Sequence, residues 1–404
     1  MMPVVRSVRS VLLSAPYAEP EGNLEVLLHL PSGLRTTGLV EITLSDGTVG
    51  LGEGYLAVFA PTVFAAIVQL VTPVLIGRSL SELPAIVRDM EITTGYWSFQ
   101  GAARHVVSAC EIALQDARAQ TLGVPLWKAL GGDVARPIPV YASGGDSTDP
   151  AFMALEIERV ARLGIRTFKI RARKHQVDKA VWCMRAAAQY GIAVAIDMTQ
   201  NLAIPSQSAA DVLSFLAEIK KATGISPTFL EEVQGPNSIS ELPQLCRSAD
   251  APIAGGEIVT TPDELSARLR SGCYGIVQPD ATVIGGVGPV MEVFATARET
   301  GTKVFVHCWG AGVGMLANYH AAIAGQGEMV EWPMPAYELR DALFKTAPLI
   351  DQGNLALADL PGLGARLTPE IERAFPFREE AVYRCLVDPG VIPLADWSLA
   401  GQPI

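Results

Sequence analysis

Asp197, Glu231 and Glu257 each close a short apolar run, in Ala193-Val-Ala-Ile-Asp197, Thr228-Phe-Leu-Glu231 and Pro252-Ile-Ala-Gly-Gly-Glu257. Three unpaired carboxylates brought to one point would raise one another's pKa, and a hard divalent cation relieves that repulsion. Oxygen ligands with room left for water and substrate suit Mg²⁺. Taken alone, each acid could cap a helix or pair with a surface base. Their recurrence on successive runs favours the metal reading. Glu232 follows Glu231 and, by period-two alternation, should face the other side of its strand, so Glu231 is the expected ligand.

Asp280 and His307 close two further runs, Gly275-Ile-Val-Gln-Pro-Asp280 and Lys303-Val-Phe-Val-His307. A carboxylate within hydrogen-bond reach of an imidazole fixes its tautomer and raises the basicity of the other ring nitrogen, which makes a general base. The other histidines, His29, His105, His175 and His320, read as structural. Lys169 and Arg171 sit two apart in Thr167-Phe-Lys-Ile-Arg171 and so share a strand face. Lys169 could bind a substrate carboxylate, carry a proton or balance the acids. Arg171 stays protonated and suits anion binding better than base chemistry. Glu331, in Met329-Val-Glu331, could be a neutral acid donating to an oxygen that gains charge, or a salt-bridge partner of Lys169.

The elements that must position these groups follow from their repetition. Eight apolar runs, beginning with Ile138-Pro-Val-Tyr141 and ending at Glu331, alternate with amphipathic stretches such as 209–222 and 289–300. One strand plus one crossover helix needs about 30 residues, and eight such units predict a closed α/β barrel whose strands present their C-terminal ends at one face. A solenoid would repeat a sequence consensus, which these units lack. Residues 1–135 differ. Segments 37–42 and 48–52 flank Ser45-Asp46-Gly47, a hairpin signal, 23–30 reads as another strand, and 61–76, 83–90 and 105–122 carry helical spacing, together an α+β unit. Pro137 and the Gly131-Gly132-Asp133 turn mark the seam. The barrel is expected over 136–360 and a tail over 361–404. Gly285-Gly286-Val287-Gly288 lacks the spacing of a phosphate loop and reads as a backbone turn close to the site, as does 310–314.

The chain has 404 residues, 49% hydrophobic and 18% charged, with a formal charge of −11. That composition supplies a large core and argues against nucleic-acid binding. No apolar stretch approaches the ~18 residues of a membrane span, and Val11-Leu12-Leu13 is too short for a signal peptide. The six cysteines show no CxxC spacing and read as reduced thiols of a cytoplasmic protein.

The ordered set of motifs resembles the enolase superfamily and, within it, the mandelate racemase subgroup of the mandelate racemase/muconate lactonizing enzyme family. The resemblance runs through Cys110-Glu-Ile-Ala-Leu-Gln-Asp116, Leu130-Gly-Gly132, Phe168-Lys-Ile-Arg171, Ile196-Asp197, Leu230-Glu-Glu232, Gly255-Gly-Glu257, Gln278-Pro-Asp280, Ile284-Gly-Gly286, His307 and Glu331-Trp332. It implies a modified (β/α)7β TIM-like barrel, an α+β capping domain and a C-terminal tail packed on that cap. It also implies Mg²⁺ on Asp197, Glu231 and Glu257, an Asp280–His307 dyad, and Glu331 as electrophile at a substrate carboxylate. The shared chemistry is removal of the proton α to that carboxylate. Two positions depart from the family pattern. Arg171 stands where the second lysine of Lys-x-Lys is usual, and Val233 stands where proline commonly follows the paired glutamates. Thr199 and Asn201 occupy the third-strand region where some dehydratases of the family carry a second histidine.

With Arg171 cationic, one face of the substrate lacks an easy base. The expectation is therefore a one-base dehydratase of a sugar acid or related hydroxy acid. Alternatives are a racemase or epimerase with Lys169 or Arg171 as second carrier, and a non-catalytic acid-binding homologue. The partner is a small carboxylate, in a closed homo-oligomer. Specificity is expected from loops 15–23 and 51–61, with Tyr17, Glu19 and Tyr55 as candidates.

Overall fold

The computed structural model describes residues 2–18, 29–200, 206–236 and 238–384. The N-terminal part is built on a three-stranded antiparallel sheet of β1 (Val5–Pro16), β2 (Leu34–Leu44) and β3 (Val49–Glu53). The β2–β3 hairpin forms where the turn signal placed it, with Asp46 accepting the amide of Thr48 at 3.0 Å. Of the segment 23–30, read as a strand, residues 23–28 lie outside the described residues, and His29 and Leu30 carry no strand. The third strand of the sheet is β1, whose alternation breaks at Leu12 and Leu13 because both its faces meet protein near its end, which hid the period-two signal.

Four helices follow, α1 (Leu56–Phe59), α2 (Pro61–Leu75), α3 (Leu83–Ser98) and α4 (Ala102–Thr121). Pro61 opens α2, where its missing N–H costs nothing. A Ser79/Glu82 capping box precedes α3. Phe64, Val71, Ile86, Met90, Val107 and Leu114 fill the layer between helices and sheet. Burial of such side chains stabilises by roughly 1.5–3 kcal/mol each. The sheet lies so close to α4 that a Cβ at Gly52 would strike the Ala109 carbonyl.

The second part is a closed barrel of eight parallel strands. They are β4 (Ile138–Ser143), β5 (Thr167–Arg171), β6 (Ala193–Asp197), β7 (Leu230–Glu231), β8 (Ile253–Gly255), β9 (Ile276–Val277), β10 (Lys303–Val306) and β11 (Met329–Pro333). Each pairs with the next, and β11 closes on β4 in the register Glu331↔Tyr141. The helices between them are Pro150–Arg162, Val177–Ala188, Ala209–Thr223, Leu242–Ser248, Pro262–Arg270, Val287–Thr300 and Gly312–Gly325. The observed strands match the eight apolar runs because all are buried on both faces, where a continuous apolar run is the signature. Inside the barrel, Tyr141, Ala195, Phe229, Ala254, Ile276 and Phe305 form a separate cluster. The Tyr141 and Phe229 rings meet edge to face at 5.5 Å. This plug is the floor on which the polar strand ends stand.

After the barrel, Pro369–Ala374 is helical, and the chain returns to the N-terminal sheet. Ser14 N donates to the Phe375 carbonyl at 3.2 Å, and Tyr383 N to the Val58 carbonyl at 3.3 Å. Five cysteines are free, and Cys385 lies outside the described residues. Among the described residues no helix is long and apolar enough to cross a membrane.

Candidate active site

The strand ends open into a cavity of about 310 Å³ lined by Lys169, Arg171, Asp197, Glu231, Glu257, His307 and Glu331. Register brings the acids side by side: Arg171 is opposite Asp197, Asp197 opposite Glu231, and Glu231 opposite Ala254. Glu232 turns away, as alternation requires, and accepts the Gly256 amide at 3.0 Å.

His307 follows β10. Its Nδ1 lies 2.8 Å from Asp280 Oδ2. The other Asp280 oxygen accepts from Thr282 N at 2.8 Å, Thr282 Oγ1 at 2.7 Å and Asn318 Nδ2 at 2.9 Å. Burial alone would raise the Asp280 pKa, but His307 and these donors hold it below the usual range. An ionised Asp280 only accepts, so Nδ1 keeps its proton and Nε2 is the nitrogen that gains or releases one. Nε2 lies 3.4 Å from Glu257 and 3.8 Å from Glu331. Burial would lower the His307 pKa, and the Glu257, Glu331 and Asp280 carboxylates reverse that and raise it.

Lys169 is clamped between Glu231 and Glu331, 2.8 Å from the latter, with its ammonium over the Tyr141 ring at 5.5 Å. Glu331 also accepts the Cys308 amide at 2.8 Å. Burial would raise its pKa, but Lys169, His307 and the Cys308 amide hold it low. The Lys169 salt bridge, one of the two sequence readings, is present.

Arg171 reaches Asp197 at 3.7 Å and Asp146 at 3.8 Å, and its guanidinium stacks on the Trp309 ring. Asp197 also accepts the Thr199 amide at 2.6 Å. Thr199 lines the cavity, and Asn201 lies outside the described residues.

Asp197, Glu231 and Glu257 all line the cavity, and Asp197 and Glu231 are register neighbours on adjacent strands. Among the described residues no three His, Cys, Asp or Glu side chains make a ligand cluster. Each of the three carboxylates already has a nitrogen neighbour: Arg171 faces Asp197, Lys169 faces Glu231, and His307 faces Glu257. The donor set nevertheless fits a hard cation. Burial, and then the like charges of Asp197, Glu257 and Glu331, push the Glu231 pKa up to about 8 despite Lys169. That is an excess of buried negative charge which a divalent ion on oxygen ligands would relieve.

His29 and His105, read as structural, also line the cavity, and His29 Nδ1 bonds the Arg384 carbonyl at 2.7 Å. His320 is structural, holding the Trp127 amide at 3.1 Å. Tyr55 lines the cavity, whereas Tyr17 packs against Tyr337 in the core, and Glu19 lies outside the described residues. The two glycine loops follow the cavity-lining Val283 and Trp309, and their amides are held by acids of the N-terminal part. Glu111 of α4 accepts the amides of Val287 at 2.8 Å and Gly288 at 3.1 Å. Glu53 of β3 accepts those of Ala311 at 2.6 Å and Gly314 at 2.7 Å. Each acid caps the start of a barrel helix, where bare N–H groups favour an anion. Gly286 has φ +118°, and a Cβ there would collide with the Glu111 carboxylate. The stacking of Trp309 on Arg171 carries no signal in a single sequence.

Residues 33–131 match the mandelate racemase/muconate lactonizing enzyme N-terminal domain, and 153–371 match the enolase C-terminal domain-like family. Over 328 residues the chain is 26% identical to the arabinonate dehydratase of Saccharolobus solfataricus, covering 80% of this chain and 86% of that one. It is 25% identical over 379 residues to muconate cycloisomerase 1 of Rhodococcus opacus, covering 89% and 95%. The L-talarate/galactarate dehydratase of Salmonella typhimurium LT2, solved with Mg and L-lyxarohydroxamate, superposes with a TM-score of 0.79 at 21% identity, covering 93% and 94%. A capped eight-stranded barrel, polar strand ends converging on one cavity, and matches over both parts lead to one assignment: the chain belongs to the mandelate racemase/muconate lactonizing enzyme family of the enolase superfamily.

Proposed function

We propose that this protein is a hydro-lyase that removes the proton α to the carboxylate of a hydroxy acid and expels the β-hydroxyl as water. The observation that carries the reading is the Asp280–His307 pair at 2.8 Å in a cavity that Arg171, always cationic, also lines. Asp197, Glu231 and Glu257 would hold Mg²⁺, which supplies Lewis-acid stabilisation of the charge that develops on the substrate carboxylate. His307 Nε2 takes the α proton and, for a syn elimination, returns it to the departing hydroxyl. Lys169 holds Glu231 and Glu331 in place and adds positive charge where the carboxylate binds. Arg171, fixed by stacking and by two carboxylates, supplies charge and no base. A single base suits dehydration, in which only one proton leaves carbon, better than racemisation, which needs a carrier on each face.

The named dehydratases among the relatives and the Mg-containing neighbour support this reading. Incubation of Mg²⁺-loaded protein with a panel of hydroxy acids, with semicarbazide detection of 2-keto acid, tests it. The expected result is keto acid from at least one member, lost in His307→Asn. Exchange of the α proton without keto acid from any member would favour an isomerase.

A further inference from the structure

The two halves of the cavity differ in kind. The floor is the charged ring of strand ends. The wall, the rest of the lining, is mixed: Tyr55, Leu56, Phe59 and Tyr383 from the cap and tail and Ile258 and Val283 from the barrel loops are apolar or aromatic, beside Arg173 and Thr199. Its rings are contiguous. Tyr383 stacks on His29 at 4.5 Å and 12°, meets Phe59 edge-on at 4.9 Å, and Phe59 contacts Tyr55 at 5.7 Å. Ile258 is 37% exposed, so this wall presents apolar surface to the cavity mouth.

Several polar atoms of the wall are already engaged. The Tyr55 hydroxyl accepts from Arg35 at 3.3 Å, and His29 Nδ1 bonds the Arg384 carbonyl at 2.7 Å. Three buried cavity-lining atoms outside the charged floor, His105 Nδ1, Trp309 Nε1 and Thr199 Oγ1, have no hydrogen-bond partner among the described residues. They can serve up to three substrate oxygens, and Arg173 lines the cavity as a further donor. A pentonate or hexonate carries further hydroxyls beyond the reacting carbons, and each hydroxyl buried without a partner costs about 1–3 kcal/mol. Apolar surface placed on the same wall gains roughly 25 cal/mol per Å².

Building on the α-proton abstraction proposed above, we propose that the cavity selects a 2,3-dihydroxy acid whose third carbon bears an aryl group, in preference to a sugar acid. With 2,3-dihydroxy-3-phenylpropanoate, the C2–H bond breaks to His307 and the C3–O bond breaks with the hydroxyl leaving as water. The resulting enol tautomerises to 3-phenylpyruvate. The net change is loss of one water, with no oxidant or reductant.

The test has a binding arm and a turnover arm. Calorimetry of Mg²⁺-loaded His307→Asn protein with 2,3-dihydroxy-3-phenylpropanoate and with arabinonate reads the wall without chemistry. The phenyl acid is expected to bind at least tenfold tighter, and Leu56→Asn to shrink that ratio at least threefold. Equal binding, tighter binding of arabinonate, or binding of neither overturns the proposal. Wild-type turnover of the same acids is read by keto-acid formation. A higher kcat/KM for arabinonate overturns the selectivity and leaves the dehydratase reading intact. Tighter binding of the phenyl acid without keto acid from either upholds the selective wall and counts against the dehydratase reading.

Discussion

The Arg171 guanidinium carbon lies 4.6 Å from the centre of a Trp309 ring, and the two side chains come from the ends of non-adjacent strands. The stack fixes the plane of a cation that also faces Asp146 and Asp197. Stacked cations of this kind contribute about 0.5–2 kcal/mol. Arg171→Lys keeps the charge and loses the plane. We expect kcat/KM to fall about tenfold, the equivalent of about 1.4 kcal/mol, with the melting temperature unchanged within a few degrees. Steady-state kinetics and thermal melts check this.

Asp280 fixes the His307 tautomer, so Asp280→Asn leaves the imidazole in place but removes the acceptor at Nδ1. General-base contributions run to 10²–10⁴-fold, and a kcat loss in about that range is expected. Circular dichroism should be unchanged, because Asn retains an oxygen for Thr282 and Asn318.

Mg²⁺ at about one hundred times its Kd should stabilise the protein by about 2.7 kcal/mol. Melts with added Mg²⁺ and with chelator measure the shift. Asp197→Asn and Glu257→Gln are each expected to abolish most of it. A full shift in both variants would place the ion elsewhere.

Glu111 is buried at the start of helix Val287–Thr300, and burial outweighs its amide donors to push its pKa up to about 7. A carboxyl raised in the folded state contributes stability that is full below its unfolded pKa of about 4.5 and is lost as pH rises through about 7. Glu111→Gln cannot titrate. The stability gap between wild type and Glu111→Gln should therefore narrow from pH 4.5 to 7.5, by up to about 3 kcal/mol. Melting curves across that window read it directly. A gap that widens would reverse the sign and show that the amides dominate.

Gly286→Ala adds a methyl group where the backbone is left-handed and the Glu111 carboxylate already fills the space. Backbone strain of this kind costs about 1–3 kcal/mol before the collision is counted. The variant should melt lower than wild type, whereas Gly33→Ala, whose Cβ meets nothing, should suffer the backbone cost alone.

The barrel was readable because its strands are short apolar runs that end in chemistry-bearing residues, and β5 and β6 fall on the expected residues. The dyad was readable for the same reason: Asp280 and His307 follow adjacent strands. What escaped was set by contacts between distant segments. β1 carries no clean alternation because both its faces are covered near its end, so spacing alone does not mark it as a strand. Glu111 and Asp116 belonged to a motif with no visible role until the fold placed them. Asp116 accepts the amides of Leu51 at 2.9 Å and Leu363 at 2.8 Å, joining segments far apart in the chain. Nor could spacing reveal that Lys169, Arg171 and His307 would each lie beside one of the expected metal ligands.

The glycine loops capped by Glu53 and Glu111 have a bearing on how such proteins recombine. The helices they start follow the strands that precede His307 and Asp280. A chimera that grafts a foreign lid segment onto this barrel would inherit two uncapped helix ends directly behind its base unless the donor carries acids at both places. The wall that reads the substrate and the pair that attacks it are thereby tied into one heritable unit.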